Sequence, residues 1–334
     1  MRMKALLLVL VLLFPAVFPA RAQTPTLRES DRIRLAEAFR LADAVQNDVW
    51  SSWSDAPFAV LLVTPEYEFL VRHPRPSDDF VNAGFDSLLQ SPVYVRDRVF
   101  APGLLATFPA VGGVPTVVVG QPEHTGKSST FWVITLLHEH FHQLQMAQPD
   151  YYEAVAALDL SGDDQTGMWM LNYPFPYDAT IINERFSAYR VALVDAIASL
   201  GSEKQETALL ELGAARERLR TALSERDYRY LRFQTWQEGI ARYIESRVAN
   251  VAAQGYEPLE EFRVLDDFIP YDVAFDSLAA ALDRELETLS LSDRKRVAFY
   301  AIGAAEALLL DALQPAWRER YFVDKFRLEQ VGGK

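Results

Sequence analysis

The stretch that decides the fold is residues 128–142, with the sequence SSTFWVITLLHEHFH. Ser and Thr at its start are preferred helix N-caps. Apolar residues recur at helical spacing with no Gly or Pro before Pro149, so the stretch predicts an α-helix at about 129–146. It ends in the pattern H-E-x-x-H, at His138, Glu139 and His142. Residues four apart share one face of a helix, so the two imidazoles can meet at one point.

These three residues predict a metal centre. Neutral imidazole suits zinc, and zinc tolerates an open tetrahedral position, so Zn²⁺ is the expected cofactor. Glu139 flanks the same face and can reach a water on the metal as a general base. His140 lies about 200° around the helix from His138 and is predicted to be a packed or supporting residue. Because the pattern is short, a coincidental pair of histidines is the alternative.

A second stretch, residues 236–245, has the sequence WQEGIARYIE. H-E-x-x-H followed by a helix with E-G-x-A-x-Y-x-E resembles the gluzincin metallopeptidases, the broad group of thermolysin and aminopeptidase N. The resemblance implies a zincin-like fold, a zinc cofactor and Glu238 as the third ligand. It covers only these two helices, and Glu238 follows His142 by 96 residues, farther than in the better-known gluzincins. A carboxylate also completes a His₂Glu set, which suits a catalytic zinc.

The residues around Glu238 have other predicted roles. Glu184, on a different predicted helix, is the rival third ligand. Glu245 shares a helix face with Glu238 and is predicted to hold an imidazole N–H or an arginine rather than the metal. Gly239 has no side chain and is predicted to let its helix approach the motif helix closely.

This ligand set predicts hydrolysis by a zinc-activated water. Zinc held by His138, His142 and Glu238 would lower the pKa of its water, and Glu139 would pass the proton to the leaving amine. The developing oxyanion needs a further donor. Spacing does not choose among the candidates, which are His124, Tyr173, Tyr177, Tyr243, Tyr256 and Tyr300.

The expected substrate is a peptide or protein. By the gluzincin resemblance, an edge strand beside the motif helix pairs with extended substrate, and residues 116–119 are predicted to be that strand. The G-x-M-E-N motif of the aminopeptidase-N type is absent, which argues against that exopeptidase role. Two alternatives stay open: hydrolysis of a non-peptide substrate, and a non-catalytic exported binding or scaffold protein with a zincin-like fold. Closed structural zinc sites favour four ligands and Cys, and this chain has no Cys.

The N-terminus predicts export. Arg2 and Lys4 precede an apolar run at residues 5–18 and the A-x-A pattern at residues 20–22, so residues 1–22 are predicted to be a signal peptide. The run is too short to favour a membrane span, so no stable membrane insertion is expected. The formal net charge is −13, which disfavours nucleic acid as a partner. The mature protein is expected in the periplasm or outside the cell, and its oligomeric state is left open.

The chain as a whole predicts an α+β fold. Residues 23–334 are predicted to form one catalytic domain, with a strand-bearing part at 23–147 and a helical part at 148–334 that carries the third ligand. We predict strands at 58–63, 68–72, 93–95, 104–108 and 116–119. We predict helices at 29–50, 179–200, 203–224, 227–251, 277–289 and 293–313. The metal site is expected in a cleft between the two parts.

Overall fold

The computed structural model describes residues 24–331. It is an α+β structure, with one six-stranded sheet in the N-terminal part and helices in the C-terminal part. The predicted fold class is therefore confirmed at this level. The predicted signal peptide, residues 1–22, lies outside the described residues. No helix among the residues described is long and apolar enough to span a membrane.

The sheet comes entirely from residues 60–120. The strands are β1 (Val60–Val63), β2 (Tyr67–Val71), β3 (Val81–Asp86), β4 (Ser91–Asp97), β5 (Leu105–Val111) and β6 (Val114–Gly120). Their order across the sheet is β3-β4-β2-β1-β6-β5. β1 and β6 run parallel, and every other neighbouring pair is antiparallel.

Helices account for most of the remaining chain. They are α1 (Glu29–Val49), α2 (Pro122–Thr125), α3 (Ser129–Met146), α4 (Tyr151–Ala156), α5 (Trp169–Asn172), α6 (Thr180–Ala198), α7 (Gln205–Ala222), α8 (Glu225–Gln234), α9 (Ile240–Ala253), α10 (Glu260–Arg263), α11 (Tyr271–Thr288), α12 (Leu291–Arg294), α13 (Ala298–Leu313), α14 (Trp317–Tyr321) and α15 (Leu328–Val331).

One predicted strand has a different place in the sheet. Residues 116–119 were expected at the edge, but they belong to β6, which lies between β1 and β5. The edge strand beside α3 is β5. Two features of the sequence agree with this order: a run of valines is typical of a strand buried on both faces, and Pro109 in β5 cannot donate to a ladder, which confines it to an edge.

One strand lacks the pattern that predicts strands. β3 is exposed along nearly its whole length, and its pairing with β4 shifts register between Asn82 and Gly84. Gly84 has φ +111°, a conformation that glycine adopts freely. Without alternating apolar residues, this segment carries no period-2 signal.

The helix predicted at 227–251 contains a local irregularity. α8 and α9 follow one another through a single π-helical turn, Thr235–Gly239. Such turns hold one extra residue and occur frequently at functional sites. The helix predicted at 293–313 is likewise divided, into α12, a 3₁₀ turn at Lys295–Val297, and α13.

α3 forms the centre of the structure. It packs against β5 and β6 on one side and against α9 on the other. Alternate residues of β1 and β6 face it, among them Val60 and Val117, while Leu61 and Val118 face a smaller apolar cluster on the other side of the sheet. Almost every side chain of α3 is buried, so its position is fixed by packing on all sides.

The start of α3 is held from a distant part of the chain. Ser128 occupies the N-cap position, but its hydroxyl makes no cap hydrogen bond. Instead the Asp267 carboxylate accepts from the Ser129 backbone N–H at 2.8 Å and from the Ser129 hydroxyl at 2.5 Å. A negative carboxylate at a helix N-terminus is also favoured by the helix dipole.

Gly239 makes its close approach to a different helix from the one expected. A Cβ at Gly239 would lie 2.5 Å from the Gly303 Cα, on α13, so the prediction that this glycine faces the motif helix is wrong. Consecutive residues of a helix point about 100° apart, so Gly239 faces a different neighbour from Glu238, which is directed at the histidines of α3. The two glycines let α13 pack directly behind the turn that carries Glu238.

Candidate metal centre

Three side chains with metal-ligating atoms converge beside α3. His138 and His142 project from one face of α3, as their spacing predicts, and Glu238 comes from the π-helical turn. One ligand atom from each residue lies within 4.8 Å of the others. Glu238 Oε2 is 3.8 Å from His138 Nε2 and 3.5 Å from His142 Nε2. The two histidines are almost wholly buried, and Glu238 is partly exposed.

These distances can be compared with what zinc requires. Ligand bonds of 2.0–2.1 Å in tetrahedral geometry separate neighbouring ligand atoms by about 3.3 Å. The two Nε2–Oε2 distances, 3.5 and 3.8 Å, are close to that value. The donor set, two imidazoles and one carboxylate, therefore fits a zinc ion with one position left for water.

The second nitrogen of His138 faces a carboxylate. Its Nδ1 is 2.8 Å from Glu245 Oε1, although the oxygen lies away from the N–H direction, so the contact is more an ion pair than an aligned hydrogen bond. Arg242 Nη1 donates to the other oxygen of Glu245 at 2.9 Å. The contact with Arg242 matches the role predicted for Glu245, whereas the contact with His138 is an ion pair without an aligned N–H donor. A carboxylate in this position orients an imidazole ligand and increases its basicity.

The second nitrogen of His142 faces two amides. Its Nδ1 is 2.6 Å from Gln145 Oε1 and 3.0 Å from the Gln237 amide. Gln145 Nε2 donates to the Gln237 backbone carbonyl at 3.0 Å and to the Tyr321 hydroxyl at 2.7 Å, so the direction of the Gln145 amide is fixed. A proton on His142 Nδ1 donates to this Gln145 oxygen in the shorter of the two contacts, although Gln237 Nε2, itself a donor, faces the same nitrogen. This tautomer leaves the Nε2 lone pair directed at Glu238.

The ionisable groups of the cluster shift one another strongly. Burial lowers the pKa of His138, but the Glu238 and Glu245 carboxylates outweigh it and raise that pKa to about 10. Burial raises the pKa of Glu238, but the two imidazoles outweigh it and hold the pKa well below the usual range. Close, buried groups of opposite charge therefore define this site, as is common at functional centres.

Glu139 lies on the same turn of α3 and is held by the sheet. The Thr107 hydroxyl, on the edge strand β5, is 2.8 Å from Glu139 Oε2 and 2.9 Å from the Glu139 backbone carbonyl. Thr107 and Glu139 are both nearly buried. Thr107 thus holds the Glu139 carboxylate against β5, and no feature of the sequence marks Thr107 for this role.

One of the six predicted oxyanion donors lies beside the cluster. Tyr300, on α13, interacts with Glu238, and burial together with this carboxylate raises the pKa of Tyr300. Tyr173 and Tyr243 are committed elsewhere, to Asp227 at 2.9 Å and to Asp311 at 2.6 Å.

Among the described residues, three further predicted donors make no contact with the three ligand side chains. Tyr256 lies beside Glu37, close to Tyr271. Tyr177 packs against Phe175, and His124 is exposed on α2. Of the six donors, only Tyr300 interacts with a member of the metal cluster by its own side chain.

Two other predictions can be compared with the structure. Glu184 lies on α6, is exposed, and is not part of the group around His138 and His142. His140 is packed as predicted: its ring stacks on Phe58 at 4.0 Å and on Trp53 at 5.3 Å. Burial lowers the pKa of His140 to about 3.

Comparison of the chain with models of known protein families, with curated proteins and with solved structures finds no match.

Proposed function

We propose that this protein is a zinc-dependent hydrolase with a zincin-like fold that cleaves peptide bonds. The observation that carries the proposal is the convergence of His138, His142 and Glu238 with Glu139 on the same helix turn. The resemblance of the two motifs to those of gluzincins supports it. Export of the mature chain, predicted from residues 1–22, is part of the same proposal.

The proposed chemistry divides between the metal and the chain. Zinc, when bound, supplies Lewis-acid chemistry that makes a water acidic and polarises the carbonyl to be attacked. His138 and His142 provide Nε2 atoms, with their rings oriented by Glu245 and Gln145. Glu139 removes a proton from the attacking water and delivers it to the nitrogen of the leaving amine.

Two further residues assist Glu139 and the substrate carbonyl. Thr107 donates to the Glu139 carboxylate and so holds it facing the reaction centre. We assign the oxyanion donor to Tyr300, because its helix, α13, packs against the π-helical turn that carries Glu238, and burial together with this carboxylate raises the pKa of Tyr300. A donor preorganised at the position where negative charge develops stabilises the transition state.

A peptide substrate is supported by the edge strand. β5 leaves one side of its backbone unpaired, and its residue Thr107 contacts Glu139. An extended peptide can add to such an edge by main-chain hydrogen bonds, which would place a peptide bond beside the base. β5 replaces residues 116–119 in this role.

The test is turnover of a mixed peptide library by the zinc-loaded protein, read by mass spectrometry. Glu139→Gln is expected to retain zinc and lose roughly 10²- to 10⁴-fold of activity. Glu184→Gln makes the same change at an exposed glutamate on α6 and is expected to leave activity unchanged. Turnover that survives Glu139→Gln contradicts the mechanism. A wild type that binds zinc and cleaves no peptide contradicts the peptidase proposal.

A further inference from the structure

Arg296 is a basic residue next to the metal centre that the proposed mechanism does not use. It lies in the 3₁₀ turn Lys295–Val297, one helical turn before Tyr300. Its Nη1 donates to the Tyr300 hydroxyl, and its guanidinium lies over the Tyr300 ring at 5.6 Å from the centroid. Because Tyr300 in turn interacts with Glu238, Arg296 stands one side chain away from the ligand cluster.

Arg296 has no carboxylate partner among the described residues, a property that it shares with half-buried arginines such as Arg190 and Arg247 but not with the three that follow. Arg34, Arg96 and Arg216 all lie within 4.0 Å of carboxylates, at 3.4, 2.7 and 2.5 Å. Within residues 24–331, no carboxylate lies that close to Arg296. Burial lowers its pKa, but Tyr300 and the charge of Glu238 outweigh burial and raise it, so the guanidinium is charged. A half-buried guanidinium without a directly paired carboxylate is stabilised when a ligand supplies one.

The free side of the guanidinium has the geometry of a carboxylate site. Tyr300 uses Nη1, and no hydrogen bond among the described residues uses Nε or Nη2. Neither atom is buried away from solvent. The Nε–Nη2 side of a guanidinium is a planar fork that accepts the two oxygens of a carboxylate at once.

Aromatic side chains pack next to the turn that carries Arg296. The Tyr177 and Tyr230 rings both pack against Phe299, three residues after Arg296. Lys295 Nζ lies 5.7 Å from the centroid of the Tyr177 ring. Aromatic surroundings of this kind lower the local dielectric and so strengthen an ion pair with a ligand.

The backbone next to Arg296 is strained. Lys295 has φ +50° and ψ −134°, which is unfavourable for a residue with a Cβ. Its side chain is anchored away from the turn, with Nζ 2.6 Å from Asp178 Oδ1. Strained residues of this kind persist where the surrounding structure holds them and cluster at binding sites.

We propose that Arg296 binds a carboxylate of the substrate. The inference rests on the proposed function and specifies its substrate class: peptides that present a negative charge beside the cleaved bond. The carboxylate is either the C-terminus of the peptide or an acidic side chain, and the same fork receives both.

The test measures binding, so it does not depend on turnover. Isothermal titration of the zinc-loaded protein uses four probes: the dipeptide Ala-Phe, its C-terminal amide, Ala-Glu-amide and Ala-Gln-amide. We expect the acid of one pair to bind roughly 10- to 100-fold more tightly than its neutral partner. Tighter binding of Ala-Phe than of its amide shows that the site takes a C-terminal carboxylate. Tighter binding of Ala-Glu-amide than of Ala-Gln-amide shows that it takes an acidic side chain.

Variants assign the effect to Arg296. Arg296→Gln is expected to bind both members of the discriminated pair equally, and Arg296→Lys to keep part of the preference. Arg294→Gln is the matched control, because Arg294 is an exposed arginine two residues away that pairs with Glu285 at 3.3 Å. It is expected to behave as wild type. Circular dichroism verifies that each variant is folded.

Three results would overturn the inference: no probe binds, neither pair is discriminated, or discrimination survives Arg296→Gln. Each is distinguishable from failure of the proposed function. If the protein cleaves peptides with zinc but binds acidic and neutral probes equally, only the carboxylate site at Arg296 is refuted. If Arg296 discriminates but the protein cleaves no peptide, the proposed function fails and the carboxylate site remains.

Discussion

The Thr107 hydroxyl lies 2.8 Å from Glu139 Oε2 and so connects the edge strand of the sheet to the proposed base on α3. The same strand offers the free backbone edge to which a peptide could bind. In the proposed mechanism, one element would therefore set the position of both the substrate and the base. A shift of β5 would move both together.

Thr107→Val removes this hydroxyl and keeps the shape of the side chain. A single hydrogen bond contributes about 0.5–1.5 kcal/mol, so we expect kcat to fall by up to about tenfold with zinc content unchanged. Thr116→Val is the matched control, since the Thr116 hydroxyl on β6 donates to the Val114 carbonyl of its own strand. Steady-state kinetics on one peptide substrate measures kcat for both variants and for wild type. Equal kcat in wild type and Thr107→Val would show that the contact does not position Glu139.

Glu245→Gln tests the support of His138. The substitution preserves size but removes the charge that faces Nδ1 at 2.8 Å. Changes of this kind weaken metal binding by roughly 10- to 100-fold, and we expect zinc affinity to fall within that range. Competition with a chromophoric chelator measures it. Glu217→Gln, an exposed partner of Arg220, should retain wild-type affinity, and unchanged affinity in Glu245→Gln would remove Glu245 from the site.

Gly239→Ala tests the contact behind the π-helical turn. The new Cβ would lie 2.5 Å from the Gly303 Cα, and neither backbone can yield easily. We expect a loss of about 1–3 kcal/mol in the free energy of unfolding. The control is Gly213→Ala on α7, where no atom lies within 4 Å of the added Cβ and stability should be equal or higher. Urea unfolding compares the two, and a neutral Gly239→Ala would contradict the packing.

Asp86→Asn tests how stability depends on pH. Burial raises the pKa of Asp86, but Arg32 and the backbone N–H groups of Leu88 and Leu89 outweigh it and lower the pKa. A lowered carboxyl pKa stabilises the fold above the unfolded value of about 3.9, and this contribution is lost as the pH falls through the folded value.

We therefore expect Asp86→Asn to cost about 1 kcal/mol at pH 7 and the difference from wild type to shrink at pH 3. Urea unfolding at both pH values measures it. Asp43→Asn, at an exposed carboxylate 3.8 Å from Arg72, should change stability by less than about 0.5 kcal/mol. A difference that grows in acid would contradict the assignment.

The sequence predicts the part of the site that depends on helical periodicity. His138 and His142 are four residues apart and so share one face of any helix. Glu245 lies seven residues after Glu238, a spacing that places both on one face of a second helix. Gln145, three residues after His142, carried the same signal and was missed. Thr107 could not be found, because its contact with Glu139 depends on how strands pair across the sheet.

The errors also have physical causes. Residues 116–119 are close to α3 along the chain, which suggested an edge strand, whereas sheet order is set by long-range pairing. Gly239 faces α13 rather than α3, because it follows Glu238 directly and neighbouring helical residues point about 100° apart. The π-helical turn at Thr235–Gly239 leaves no mark in the apolar periodicity.

The most direct test of the proposed centre is the metal content of the purified protein, by plasma mass spectrometry. Wild type, Glu238→Ala and Glu184→Ala are compared after equilibration with zinc and removal of excess. We expect about one zinc per chain in wild type and Glu184→Ala, with most of it lost in Glu238→Ala. A wild type that binds no zinc, or a Glu238→Ala variant that retains it fully, would contradict the proposed centre.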